Sequence, residues 1–287
     1  MLRALGFFCC ALVAAPAGLL AVDDAQPPLI HQLTLQAGKF WGHAPYWYCR
    51  ETLRQTGPAM RTGRLRFHLS DAPAKSPATV TREIVSWYGF SSFSENAESI
   101  HEIREVLTVD GKPAEEARSA EAFCGLLRGR RDFDKQALAE KFQRSTLTDA
   151  PSDFGQLIML FTRRSIDRYR FHLTGSAMIG AQPVSVFEYR QETGSPGLHL
   201  DRANLPLAGT IFLRDDGAPL RITVVSSRRG KDKIEVRDEA EVEYEEARNG
   251  VLLPVSLVHR RLNNGAVASD DRAQYSDWKP IPEAQPK

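Results

Sequence analysis

Apolar and polar residues alternate in short runs over residues 169–278, which is typical of β-strands with one buried face and one face in water. The clearest run places Ala240, Val242 and Tyr244 between Glu239, Glu241, Glu243 and Glu245. Turn signals separate the runs at Asp215-Asp216-Gly217, Asn249-Gly250 and Asn263-Asn264-Gly265. Two strand-like runs joined by such a turn are typical of β-hairpins. The pattern predicts six or seven strands in an antiparallel meander.

The first half of the chain contains segments with helical spacing of apolar residues and segments with strand-like alternation. We expect a helix within residues 28–48 that ends near Pro45, and strands from Cys49, over 65–69, 80–93 and 100–109. Residues 114–127 and 133–147 have helical spacing, and residues 154–161 form the most apolar helical stretch of the mature chain. The order predicts an α+β fold, a curved antiparallel sheet with helices on one face, and argues against a Rossmann or β/α-barrel fold.

The N-terminus indicates export. Arg3 precedes an uncharged apolar run over residues 4–20, and Asp23-Asp24 follow at once. This predicts a secretory signal peptide over residues 1–22, with an uncleaved membrane anchor as the alternative. We expect one domain over residues 26–279, with a helical insertion near 114–162, and a disordered Pro-rich tail over 280–287. The mature protein would then lie in the periplasm or outside the cell, with no membrane contact except through the signal segment.

Charge and motifs exclude several functions. Lys and Arg number 37 against 36 Asp and Glu, so no basic excess exists to neutralise nucleic-acid phosphates. The seven histidines show no metal-binding spacing, and nucleophile-elbow, Walker and dinucleotide-binding motifs are absent from the sequence. We therefore expect no enzyme activity, no metal and no cofactor.

Two cysteines remain after removal of the signal peptide, Cys49 and Cys124. In an oxidising compartment such a pair forms one disulfide or stays as two buried thiols, and the sequence leaves both open.

Several strand patterns resemble the lipoprotein-localisation (LolA/LolB/RseB-like) superfamily. They are the strand–turn–strand pattern over 169–189, the hairpin over 207–222, and the closing strands at 250–255 and 275–278. The segments 45–51, 109–113 and 153–157 resemble a group of uncharacterised exported proteins from Acidobacteria-like organisms. Together these patterns cover roughly residues 45–278.

The resemblance implies an open half-barrel of antiparallel strands wrapped over helices, with an apolar concavity. It implies a non-enzymatic protein that binds a lipid or an acylated protein there, as a carrier or a sensor. The alternative is an envelope protein without a ligand cavity that docks a protein partner by its sheet edge or its helical insertion. Strand alternation does not separate a cavity lining from a core for the candidate residues, which are Trp87, Phe154, Leu157, Ile158, Phe161, Phe171, Phe187 and Phe212.

Overall fold

One antiparallel sheet of eleven strands organises the structure, and helices pack on both of its faces. The computed structural model describes residues 27–58, 78–147, 153–194, 206–229, 234–247 and 249–282. The predicted signal peptide, the predicted strand over 65–69 and residues 283–287 lie outside this part of the chain.

The first part of the chain comprises α1 (Pro28–His43), a 3₁₀ turn (Ala44–Tyr46), β1 (Trp47–Pro58), β2 (Thr79–Phe93), β3 (Asn96–Val109), β4 (Lys112–Pro113), α2 (Ala120–Arg128) and α3 (Asp132–Ser145). Two 3₁₀ segments follow, Phe154–Phe161 and Ile166–Arg168. The remaining strands are β5 (Tyr169–Ile179), β6 (Gln182–Gln191), β7 (Ala208–Leu213), β8 (Pro219–Arg229), β9 (Glu235–Glu246), β10 (Leu252–Asn263) and β11 (Ala266–Pro280).

The sheet order is β4-β3-β2-β1-β11-β10-β9-β8-β7-β6-β5, with antiparallel pairing throughout. Strands β1 to β4 therefore follow one another from the middle of the sheet to one edge. The chain then passes to the opposite edge, where β5 lies, and β5 to β11 follow in order until β11 pairs with β1. The two end strands β4 and β5 are not paired with each other, so the sheet is open. The predicted α+β class and antiparallel sheet over helices are confirmed.

Part of the connection between the two edges covers one face of the sheet. Ten spacings of about 4.8 Å give a sheet about 48 Å wide, and residues 114–168 connect its two edges. The later part of this connection, Phe154–Phe161, contacts α1, β8, β9 and β10. We call the face that it covers the inner face and the 3₁₀ segment Phe154–Phe161 the crossing segment.

Helix α1 lies on the same face because its apolar residues recur three and four positions apart. Ile30, Leu33, Ala37 and Phe40 are completely buried in the large core cluster, and Pro28 occupies the first turn, where its missing N–H costs nothing. Pro45 and the 3₁₀ turn then end the helix and direct the chain into β1. This agrees with the expected helix and its end near Pro45.

Helix α2 lies on the opposite face, which corrects the expectation that all helices share one face. Phe123, Cys124 and Leu127 form a smaller core cluster with Ile103 and Ile281, against which Tyr48 and Trp87 pack. Both faces of β1 to β3 are therefore covered. The amphipathic pattern of α2 predicts a buried stripe, but a stripe carries no information on which face of the sheet receives it.

Two boundaries differ from the sequence prediction. Residues 114–119 are not helical, because Ser119 caps α2 by accepting a hydrogen bond from the Ala122 N–H and Glu116 has a positive φ. The chain also stays ordered into the predicted tail. Ile281 is buried, its N–H donates to the Tyr46 carbonyl, and its own carbonyl accepts from Arg128.

Gly217 allows the β7–β8 turn to approach α1. Its φ is +76°, and a Cβ there would overlap Gln32 of α1. We expect Gly217→Ala to lower the free energy of unfolding by about 1–3 kcal/mol, measured by urea denaturation. Gly111→Ala is the control, since Gly111 has φ +74° with open space around its Cβ position. Equal losses in both variants would show that the contact with α1 contributes nothing.

Candidate functional site

Most of the predicted lining residues are packed into the core on the inner face. Phe154, Leu157, Ile158, Phe161 and Phe187 are each at most 5% exposed and belong to the large core cluster, against which Phe171 is partly buried. Phe161 contacts the rings of Tyr169 and Tyr189, with centroid distances of 5.6 and 5.0 Å. Burying side chains of this size stabilises the fold by about 1.5–3 kcal/mol each.

Trp87 and Phe212 lie on the other face of the sheet, so the structure does not bring them together with the other six. Trp87 packs against the smaller cluster with Tyr48, at a centroid distance of 6.0 Å. Phe212 lies between the buried neighbours Ile211 and Leu213, which face inward, and the Arg221 guanidinium sits 5.5 Å from its ring centre. Alternation along each strand is the physical reason, since successive side chains point to opposite faces.

The two cysteines are free thiols, and both are buried. Cys49 belongs to the large cluster, whereas its neighbour Tyr48 faces the smaller cluster that contains Cys124. The sheet therefore lies between the two sulfur atoms. Of the two readings left open by the sequence, this structure has the two buried thiols.

The crossing segment is fastened to strands on both sides of β1. Glu102 of β3 accepts hydrogen bonds from the N–H groups of Asp153 and Gly155, at 3.1 and 2.6 Å. Tyr244 of β9 donates its hydroxyl to the Gly155 carbonyl and accepts from the Ile158 N–H, at 3.1 and 3.2 Å. A Cβ on Gly155 would lie 2.5 Å from Tyr88 Oη, so only glycine allows this approach. The segment is thereby held down as one side of the core.

A buried ionic cluster supports this attachment. Arg104 of β3 binds Glu51 of β1 through Nε and Nη2, at 2.8 and 2.9 Å, and its Nη2 lies 2.8 Å from Glu102 Oε2. All three side chains are at most 4% exposed. Burial raises the pKa of Glu102 although Arg104 opposes the shift. Burial alone would lower the pKa of Arg104, but the two carboxylates outweigh it and raise that pKa. The cluster links β1, β3 and the crossing segment.

A second buried cluster joins β9, β10 and β11 under the same segment. His259 Nδ1 lies 3.0 Å from Asp271 and Nε2 lies 3.2 Å from Asp238. The Phe154 ring packs on the imidazole at 4.8 Å. Gln55 donates to Asp271 and accepts from the Leu147 N–H. With a carboxylate at each nitrogen, the ring is best satisfied as an imidazolium that donates twice.

Titration of this second cluster follows from its geometry. Burial would lower the pKa of His259, but the hydrogen bonds and charges of Asp238 and Asp271 outweigh it, and the pKa is raised. Burial would raise the pKa of Asp238, but bonds from His259 and Arg261 outweigh that effect and lower it. Asp238, His259 and Asp271 are each at most 8% exposed, and their contacts join three neighbouring strands.

A cavity of about 580 Å³ opens at one end of the sheet, where β1 begins, β11 ends, and β9 turns into β10. We call it the tryptophan cavity. Its wall includes Trp47, Glu245, Leu253, Val255, Trp278 and Lys279. A volume of this size is within the range of small-molecule sites, and the wall combines apolar side chains with nearly as much polar surface.

The strand order creates this cavity from distant parts of the chain. Trp47 is opposite Pro280 in the β1–β11 pair, and Leu253 is opposite Glu245 in the β9–β10 pair. Trp278 is fixed by a hydrogen bond of 2.9 Å from its Nε1 to the Pro254 carbonyl and by stacking on Phe90. The sequence showed aromatic residues at both ends of the domain, but only pairing of β1 with β11 places them together.

Neither a metal centre nor a membrane helix is present in the part of the chain that the structure describes. It contains no group of three or more His, Cys, Asp or Glu side chains that could hold a metal ion. Among the described helices, none is long and apolar enough to cross a bilayer.

These features define a class, an open antiparallel sheet whose inner face is filled by a segment of its own chain. No protein-family model matches the sequence, and no curated protein matches it. Among solved structures the chain is similar to a DUF1329 family protein from Desulfovibrio piger, with 10% identity, a TM-score of 0.39, and 91% of this chain and 96% of that chain covered.

It is also similar to a putative outer membrane lipoprotein-sorting protein domain from Vibrio parahaemolyticus, with 10% identity, a TM-score of 0.40, and 89% and 93% of the two chains covered. A third similar structure is a LolA superfamily protein from Nitrosomonas europaea, with 11% identity, a TM-score of 0.33, and coverage of 90% and 94%.

The Arg104 cluster predicts a strong effect of one substitution. Arg104→Met leaves Glu51 and Glu102 buried without their cation, and we expect it to reduce the free energy of unfolding by about 3–5 kcal/mol in urea denaturation. The matched control is Arg164→Met, which removes a solvent-exposed ion pair with Glu98 and should leave the stability nearly unchanged. A small loss for Arg104→Met would mean that the cluster does not anchor the crossing segment.

The His259 cluster predicts a pH dependence of stability. Because the folded pKa of His259 is raised above its ordinary value of 6.5, its contribution is fully present below that value and is lost as pH rises through the folded pKa. We expect the free energy of unfolding of the wild type to fall as the pH rises from the ordinary pKa of histidine through the raised pKa of His259.

His259→Gln is the comparison, since glutamine keeps hydrogen bonding without the titration. Its stability should be lower at acidic pH and should change less as pH rises, so the two curves converge at alkaline pH. Parallel curves for the two proteins would contradict the assignment of the pH dependence to His259.

Proposed function

We propose that the chain is an exported, non-enzymatic protein that binds a hydrophobic ligand, a lipid or an acylated protein, and acts as a carrier or sensor. The tryptophan cavity is the observation that carries this proposal. It combines a volume of about 580 Å³ with a wall that includes the apolar side chains of Trp47, Leu253, Val255 and Trp278. The signal-peptide pattern over residues 1–22 supports export.

The site of this proposal differs from the site expected from the resemblance. Six of the eight predicted lining residues pack into or against the large core, which the crossing segment completes. The tryptophan cavity lies at the end of the same sheet and needs no movement of that segment. Each buried CH₂ of an acyl chain contributes about 0.8 kcal/mol, so an apolar cavity is sufficient for binding and no reactive side chain is required.

A second candidate function, docking of an envelope protein, has one observation in its favour. β5 is the last strand of the sheet on its side, and Leu173 and Met178 on it are 54% and 62% exposed. An edge strand with exposed apolar side chains is suited to pairing with an extended segment of another chain. This function requires no ligand in the cavity.

Blocking the cavity tests the first proposal. We expect the wild type to bind a fluorescent fatty acid saturably, with displacement by unlabelled fatty acid. Val255→Trp, which places an indole in the cavity, should weaken binding at least about tenfold. The matched control is Val267→Trp, because Val267 is a solvent-exposed valine on β11, 59% exposed, and is not part of the cavity wall.

Circular dichroism and thermal unfolding of both variants show whether the fold is kept. Absence of saturable uptake by the wild type would overturn the ligand-binding function in favour of partner docking. Equal weakening by both substitutions would place the binding site away from the cavity.

A further inference from the structure

Two charged side chains on the wall of the tryptophan cavity have no ion-pair partner among the described residues. Glu245 and Lys279 are both exposed, and neither forms an ion pair with the residues that the structure describes. The adjacent Glu246 is different, because Arg214 Nη2 binds it at 2.9 Å and also binds Asp216. One carboxylate and one ammonium are therefore available to a molecule in the cavity.

Glu245 differs from the glutamates that precede it on the same face of β9, because those glutamates are paired with arginines. Arg237 pairs with Glu239 at 2.7 Å, and Arg221 lies 3.5 Å from Glu241 and 2.5 Å from Glu243. The row of glutamates on β9 is thus neutralised within the sheet until it reaches the cavity.

Two aromatic side chains line the same cavity as this carboxylate. Trp47 and Trp278 line the same cavity, and Trp278 is held rigidly by the Pro254 carbonyl and the Phe90 ring. A cation placed over an indole face is attracted by the ring quadrupole, and a nearby carboxylate adds Coulomb attraction. This combination favours an ammonium group, including a quaternary one.

We infer that the tryptophan cavity recognises an amphiphile with a zwitterionic headgroup. The ammonium of the ligand lies beside Glu245 and the two tryptophans, its phosphate or carboxylate lies beside Lys279, and its alkyl chain covers Leu253 and Val255. The inference rests on the proposed function and specifies the class of its ligand.

Four amphiphiles with the same dodecyl chain test the headgroup. The probes are dodecylphosphocholine, dodecyltrimethylammonium, dodecyl sulfate and an uncharged dodecyl polyoxyethylene ether, each below its critical micelle concentration. Binding is followed by the intrinsic fluorescence of the full chain, which has four tryptophans. We expect dodecylphosphocholine to bind about three- to tenfold more tightly than the uncharged ether, in line with one cation–π contact and one exposed ion pair.

Two variants assign the charges. Glu245→Gln should weaken the binding of dodecylphosphocholine and dodecyltrimethylammonium and leave the binding of dodecyl sulfate unchanged. Lys279→Gln should weaken the binding of dodecylphosphocholine and dodecyl sulfate and leave the binding of dodecyltrimethylammonium unchanged. Glu235→Gln is the matched control, since Glu235 is an exposed carboxylate at the opposite end of the same strand.

The outcomes separate this inference from the function on which it rests. Equal affinity for all four amphiphiles, or tightest binding of dodecyl sulfate, overturns the zwitterionic headgroup and leaves hydrophobic-ligand binding intact. Failure of all four probes to bind, including the uncharged ether, overturns the proposed function itself. Equal effects of Glu245→Gln and Glu235→Gln would remove Glu245 from the site.

Discussion

The connection from one edge of the sheet to the other is the constraint on which the rest of this structure depends. A meander that leaves β4 at one edge and resumes with β5 at the opposite edge must send its connection across a face of the sheet. That connection cannot remain polar, because it becomes the second layer of the core. The apolar residues of Phe154–Phe161 satisfy this requirement, and they leave the inner face filled.

Backbone groups carried across an apolar core need partners, and this need explains the polar side chains found there. Glu102, Tyr244 and Gln156 each bond the crossing segment or a strand beside it, and Arg104 compensates the charge of Glu102. An unsatisfied buried donor or acceptor costs about 1–3 kcal/mol, so these residues stabilise the crossing by removing that cost. They also fix where on the sheet the segment lies.

The burial of the candidate lining residues and the position of the cavity both have a long-range cause. Phe154 and Phe187 were candidates for a lining and belong to the core, since Phe154 is part of the crossing segment and Phe187 lies in the same apolar cluster. Trp47 and Trp278, separated by most of the domain, line the tryptophan cavity because β1 pairs with β11. No local pattern contains that pairing, since it joins the first strand with the last.

The sequence by itself determined the strands, their turns and the class of the fold, because alternation and turn residues such as Asn249-Gly250 act over a few positions. It also determined that residues 154–161 must be buried. Only the tertiary structure decided what buries them, which face α2 covers, and why Cys49 and Cys124 stay apart. Those outcomes depend on strand order and on the face to which each residue points, and both are fixed by packing between segments that are distant in the chain.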